Sequence, residues 1–91
     1  MSVLLITYNL EVKGQNYEAI LEVIKQYPSI KLSESAYAID ITGTTERYLD
    51  IFNKIKPSLD KNDNVYVITL ESPKTGRGSK EINEWLEEHL V

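Results

Sequence analysis

Three cations fall within one short, glycine-containing stretch near the carboxyl end of the chain. Lys74, Arg77 and Lys80 flank Gly76 and Gly78, and a helical pattern begins directly after them. Backbone amides in such a loop, together with the first turn of a helix, can hold a phosphate. The spacing differs from that of a nucleoside-triphosphate loop, which needs Gly, four residues and then Gly-Lys-Ser/Thr. The stretch is therefore either a contact for nucleic acid or an acidic partner, or a solvated loop.

Other residue types that carry chemistry are few. His89 is the only histidine and the chain has no cysteine, so one subunit can build neither a histidine-based triad nor a zinc site of several histidines or cysteines. We expect His89 at the surface, near the end of an acidic helix, and Trp85 as the residue that anchors that helix. Four glutamates could bind a metal ion but are typical of a solvated acidic face: Glu81, Glu84, Glu87 and Glu88.

The composition is that of one small folded domain. With 91 residues, of which 42% are hydrophobic and 26% charged, the chain predicts a single domain over residues 1–91. The formal net charge of −4 argues against a whole-surface contact with nucleic acid but leaves room for a local basic patch. The sequence has no charged-then-apolar leader and no long apolar run, which predicts a cytoplasmic protein without a membrane span.

Apolar periodicity predicts the order of the secondary-structure elements. Residues that favour strands occupy 3–8, 30–42 with a hairpin turn at 33–35, and 65–70. Helical spacing predicts amphipathic helices over 16–27, from 43–45 to Pro57, and after a cap at Ser79. This order favours the α+β class: a ferredoxin-like βαββαβ antiparallel sheet with two helices on one face and a C-terminal helix.

Alternation along the predicted strands divides the sheet into two faces. The bulkier set suits the face covered by helices: Leu4, Ile6, Tyr8, Tyr37, Ile39, Ile41, Tyr66, Ile68 and Leu70. The other face is small and largely apolar, whereas a solvent-facing sheet would carry charges. The C-terminal helix or a second subunit should therefore cover it. We predict a homodimer whose contact residues are Leu5, Thr7, Ala36, Ala38, Val65 and Val67.

Five short stretches give the chain a resemblance to a known group of proteins. They are Ile6 to Leu10, Gly14 to Tyr17, Ser33 to Ile39, Leu59 to Asp63 and Glu84 to Leu86. In order and spacing they resemble the SinR-like branch of the small proteins allied to the smaller CRISPR adaptation subunit and to VapD-type toxins. The likeness covers nearly the whole chain.

The resemblance implies a ferredoxin-like homodimer with its sheet faces apposed and, in the nuclease branches, metal-dependent cleavage of RNA or DNA. Those nucleases carry an aspartate at the end of the first strand, where this chain has Asn9. A neutral amide offers magnesium an oxygen but no charge. We therefore expect a non-catalytic interaction module without a cofactor, which could associate with nucleic acid or a protein partner in a mobile-element or defence context. The alternative is a weak magnesium-dependent endonuclease or toxin.

Overall fold

Four antiparallel strands form one sheet in the computed structural model, which describes residues 2–11, 15–72 and 74–90. The strands are β1 (Val3–Asn9), β2 (Ser29–Ser33), β3 (Ala36–Asp40) and β4 (Asn64–Leu70). The helices are α1 (Gln15–Ile24), α2 (Tyr48–Ile55) and α3 (Lys80–His89), and a single 3-10 turn covers Lys56–Ser58. The sheet order is β2-β3-β1-β4. The predicted α+β class and ferredoxin-like arrangement are confirmed. Gly14, part of one stretch that carries the resemblance, lies outside the described residues.

Local signals in the sequence set where the helices begin and end. Ser79 caps α3 as predicted, because its hydroxyl accepts a backbone N–H of the first turn at 3.2 Å. The second helix begins later than predicted, where the Asp50 carboxylate accepts the Arg47 backbone N–H at 2.8 Å. Gly43 instead forms a turn with φ of 88°, a conformation that glycine adopts without strain. Pro57 lies in the 3-10 turn that ends the helix.

The main core lies between one face of the sheet and the helices α1 and α2. Its fully buried side chains include Leu4, Ile6, Ile20, Ile24, Ile39, Ile51 and Ile55. The strand residues among them were predicted for this face, and their burial holds the two helices on the sheet. Within the described ranges, no helix is long and apolar enough to cross a bilayer.

The prediction of which β4 side chains point toward the helices is wrong. Val65 is buried in the main core and Val67 packs against it, so neither lies on the opposite face. The register explains this, because Val67 pairs with Ile6 of β1 and Ile68 pairs with Leu5. Residues directly opposite in an antiparallel pair share a face. Both sides of β4 are apolar, and here the smaller side chains point toward the helices.

The helix α3 covers part of the second face. Val3 and Ala38 are buried there together with Leu90, and partly buried side chains surround them: Ile30, Leu32, Leu70, Trp85 and Leu86. Ala38 has no exposed surface, so the prediction that it contacts a second subunit is wrong for this arrangement. The helix contacts β2 and therefore lies toward that side of the sheet.

Candidate interaction surface

The part of the second face that α3 leaves open runs along β1 and β4. Leu5 and Thr7 are half-buried there, while Tyr66 is 64% exposed and Ile68 is 47% exposed. The register places Leu5 beside Ile68 and Thr7 beside Tyr66. These four residues, here called the β4 patch, form one contiguous surface. Of the predicted contact residues, Leu5 and Thr7 lie in it, and Ala36 lies next to Thr7 on β3.

The strand β4 is also one of the two edges of the sheet. Its seven residues include no charge and no proline, and its pairing with β1 continues without a bulge. The other edge strand, β2, has five residues, a charge at Lys31 and a shift of register between Lys31 and Ser33. Short length, charge and bulges protect an edge strand against pairing with another chain. The edge at β2 has all three protections and the edge at β4 has none of them.

Asn9, the position of the metal-binding aspartate in the resembled nucleases, lies exposed at the end of β1 opposite Asn64. A cavity of about 370 Å³ at this place is lined by Thr7, Tyr8, Asn9, Ser35, Asn64 and Tyr66. All of these side chains are amides or hydroxyls, which do not supply the charge that offsets dehydration of a divalent cation. Among the described residues, no three or more His, Cys, Asp or Glu side chains are grouped so that they could hold a metal ion.

Asp63 stabilises the chain connections beside this cavity. Its carboxylate accepts the backbone N–H of Asp60 at 2.8 Å, that of Glu11 at 2.9 Å and the side-chain amide of Asn16 at 2.8 Å. The hydrogen bonds from the Asp60 and Glu11 backbone lower the pKa of Asp63. The Asn16 amide also donates to Asp60 at 2.8 Å. These carboxylates therefore hold the residues after β1 against those before β4.

Two of the three cations predicted to contact nucleic acid form ion pairs with glutamates of α3. The Lys74 ammonium lies 2.8 Å from Glu87, and the Lys80 ammonium lies 3.7 Å from Glu84. The hydrogen bond from Lys74 lowers the pKa of Glu87. Lys74 and Arg77 line a cavity of about 460 Å³ between the loop and α3. Because α3 offsets two of the three charges, a contact with nucleic acid stays a prediction, and we expect it to be weak.

His89 is half-buried, so its expected position at the surface is wrong. Its Nδ1 lies 2.6 Å from Oδ2 of Asp40, and its ring stacks on Trp85 with 3.9 Å between the ring centres. Burial raises the pKa of Asp40, but hydrogen bonds from Thr42 and His89 outweigh this effect and leave the pKa lowered. Asp40 is therefore ionised at neutral pH and holds the last turn of α3 against β3. The sequence contains one signal for this pair. Asp40 is the only charged residue in the alternating stretch 36–42, and a lone charge in such a strand indicates a specific partner.

Comparison with known proteins gives no assignment. The chain matches no family model, and it has no significant match among curated proteins. The resemblance to the SinR-like branch therefore stays a prediction that rests on the five short stretches and their order.

Proposed function

We propose that the protein is a non-catalytic, cytoplasmic interaction module that forms a homodimer through the β4 patch. The observation that carries this proposal is the exposure of Tyr66 and Ile68 on an edge strand that lacks protection against pairing. Burial of such side chains favours association by about 25 cal/mol per Å² of apolar surface. The resemblance to the SinR-like branch, which implies a homodimer, supports the same conclusion and suggests a mobile-element or defence context.

The molar mass of the wild-type protein in solution tests this proposal. Light scattering at tens of micromolar should give twice the 10.4 kDa of one chain. A mass of one chain at every concentration would overturn the proposal.

Substitutions at Asn9 distinguish this function from the alternative, a weak magnesium-dependent endonuclease or toxin. Asn9→Asp should raise the affinity for magnesium or manganese, because an added carboxylate lowers the cost of dehydrating the ion. Asn9→Ala should change the free energy of unfolding by about 1 kcal/mol or less, because Asn9 is exposed. The measurement is metal-dependent cleavage of single-stranded RNA by the wild-type protein and both variants.

We expect no cleavage above background from the wild-type protein or from Asn9→Ala. Strong cleavage by the wild-type protein that disappears in Asn9→Ala would replace the interaction module with the nuclease alternative. The alanine variant is the matched control, since it removes the amide oxygen and leaves the neighbouring Asn64 in place.

A further inference from the structure

The exposed large apolar side chains of the described residues are not scattered over the surface. They are Tyr48 at 54%, Leu49 at 46%, Tyr66 at 64% and Ile68 at 47% exposure. The first two belong to α2 and the other two to β4. Because α2 packs on β4, which is an edge strand, both pairs border the same edge of the sheet. The two pairs lie on opposite faces of the sheet, because Tyr66 and Ile68 point away from the helices, so they flank the β4 edge from both sides. Exposed apolar side chains beside an unprotected edge strand mark that edge as an interaction surface.

The contacts of Lys54 show which side of α2 is open. Its ammonium donates a hydrogen bond to the Tyr27 hydroxyl at 2.8 Å and forms an ion pair with Glu46, so this side of α2 faces the residues that follow α1. At about 100° per residue, Leu49 lies about 140° around the helix from Lys54. Leu49 is therefore on the flank that faces away from α1, above the open edge of β4.

We propose that two copies of the chain pair their β4 strands antiparallel, so that the two sheets become one continuous eight-stranded sheet with Val67 at the two-fold axis. This inference gives the geometry of the proposed homodimer and depends on that function. In this register each of the seven residues of β4 lies opposite a residue of the second copy's β4. Tyr66 lies opposite Ile68 of the partner subunit, and the two-fold axis repeats the pair. An aromatic residue opposite a β-branched residue is a favourable cross-strand pair.

A second copy fits this edge better than a single foreign strand. An added strand would pair with β4 but would leave Leu49 on α2 exposed, whereas a second copy brings its own α2 to the other side of the two-fold axis. The exposed parts of the four side chains supply about 400 Å² per protomer. Pairing covers the sides of these side chains that face the other copy, while the outer faces of Tyr66 and Ile68 stay open on the sheet, so the four side chains of two copies contribute less than about 800 Å², half of a standard interface. Paired backbone and neighbouring side chains add to this area.

The charges of the chain allow the same arrangement. Each protomer has a formal net charge of −4, but β4 has no charged residue. The acidic helix α3 contacts β2 at the opposite edge of the sheet, and toward β4 it is the apolar residues of α3 that share a cluster with Leu70 at the end of the strand. Two copies can therefore pair along β4 without bringing like charges into the centre of the contact.

Single cysteine variants test the register, because the natural chain has no cysteine. In the proposed dimer the two copies of Val67 lie opposite each other, about 4.5 to 5.5 Å apart at Cα, which is within reach of a disulfide. The two copies of Asn64 lie about 20 Å apart. Mild oxidation should therefore crosslink Val67→Cys at least about ten times faster than Asn64→Cys, because only the first pair meets the geometry of a disulfide. The product is measured as a reducible dimer on a denaturing gel.

Leu5→Cys separates this geometry from a dimer with apposed sheet faces. Three strand spacings keep the two copies of Leu5 about 14 Å or more apart in the continuous sheet, beyond the reach of a disulfide. Crosslinking at Leu5 but not at Val67, in a protein whose molar mass is that of a dimer, would overturn the edge pairing and leave the homodimer intact. A wild-type protein with the molar mass of one chain would overturn both the edge pairing and the homodimer.

Discussion

Replacing Ile68 by lysine is expected to convert the dimer into monomers at concentrations where the wild-type protein stays paired. In the proposed contact Ile68 lies opposite Tyr66 of the partner subunit, so the variant places an ammonium group in an apolar strip twice per dimer. A lysine on an edge strand is also a natural device against pairing. We expect the dissociation constant to rise at least about 100-fold, equivalent to about 3 kcal/mol. Sedimentation equilibrium measures this constant directly.

Ser33→Lys is the matched control for this variant. Ser33 is exposed at the end of β2, the opposite edge of the sheet, so the same charge is added away from the proposed contact. Its dissociation constant should equal that of the wild-type protein, and circular dichroism should show both variants folded. An Ile68→Lys protein that dimerises as tightly as Ser33→Lys would contradict the β4 contact.

Trp85→Ala is expected to lower the free energy of unfolding by about 2–4 kcal/mol. The Trp85 side chain packs against the cluster of Val3, Ala38 and Leu90, and its ring stacks on His89. Removing it leaves a cavity between α3 and the sheet and loosens the ring that pairs with Asp40. Because Trp85 is the only tryptophan, urea unfolding of the variant should be followed by circular dichroism.

The matched control for this variant is Glu88→Ala in the same helix. Glu88 is exposed and alanine favours a helix, so the free energy of unfolding should change by about 0.5 kcal/mol or less. Equal effects of the two substitutions would show that the Trp85 contact does not hold α3 on the sheet.

Sequence patterns were sufficient for the fold class and for several boundaries. Strand-forming runs alternate with helical spacing, and this order leaves few arrangements other than a helix-covered antiparallel sheet. The turn between β2 and β3 and the cap at Ser79 were predicted from residues that act locally. Such signals depend on neighbours in the chain, so they can be interpreted without knowledge of the packing.

The faces of β4 could not be predicted in this way. In the strand, valines alternate with Tyr66 and Ile68, so both sides are apolar and only size distinguishes them. Size favoured the larger side chains for the core, but the register with β1 places them on the open face. The burial of Ala38 under α3 and the pairing of His89 with Asp40 likewise depend on contacts between residues far apart in the sequence.

Part of the candidate surface was therefore predictable and part was not. Leu5 and Thr7 were predicted for it because the bulkier β1 side chains, Leu4, Ile6 and Tyr8, were assigned to the core, and in β1 this assignment by size is correct. The open edge of β4 became evident only when the strand order placed β4 outermost, because β4 carries none of the charges or prolines that mark many edge strands in a sequence.

The molar mass of the wild-type protein over a dilution series tests the central claim, that the protein forms a homodimer through the β4 patch, most directly. Light scattering should give twice 10.4 kDa at tens of micromolar and a decrease toward 10.4 kDa on dilution. Under the same conditions Ile68→Lys should have the mass of one chain throughout. A wild-type protein with the mass of one chain at every concentration, indistinguishable from Ile68→Lys, would contradict the claim.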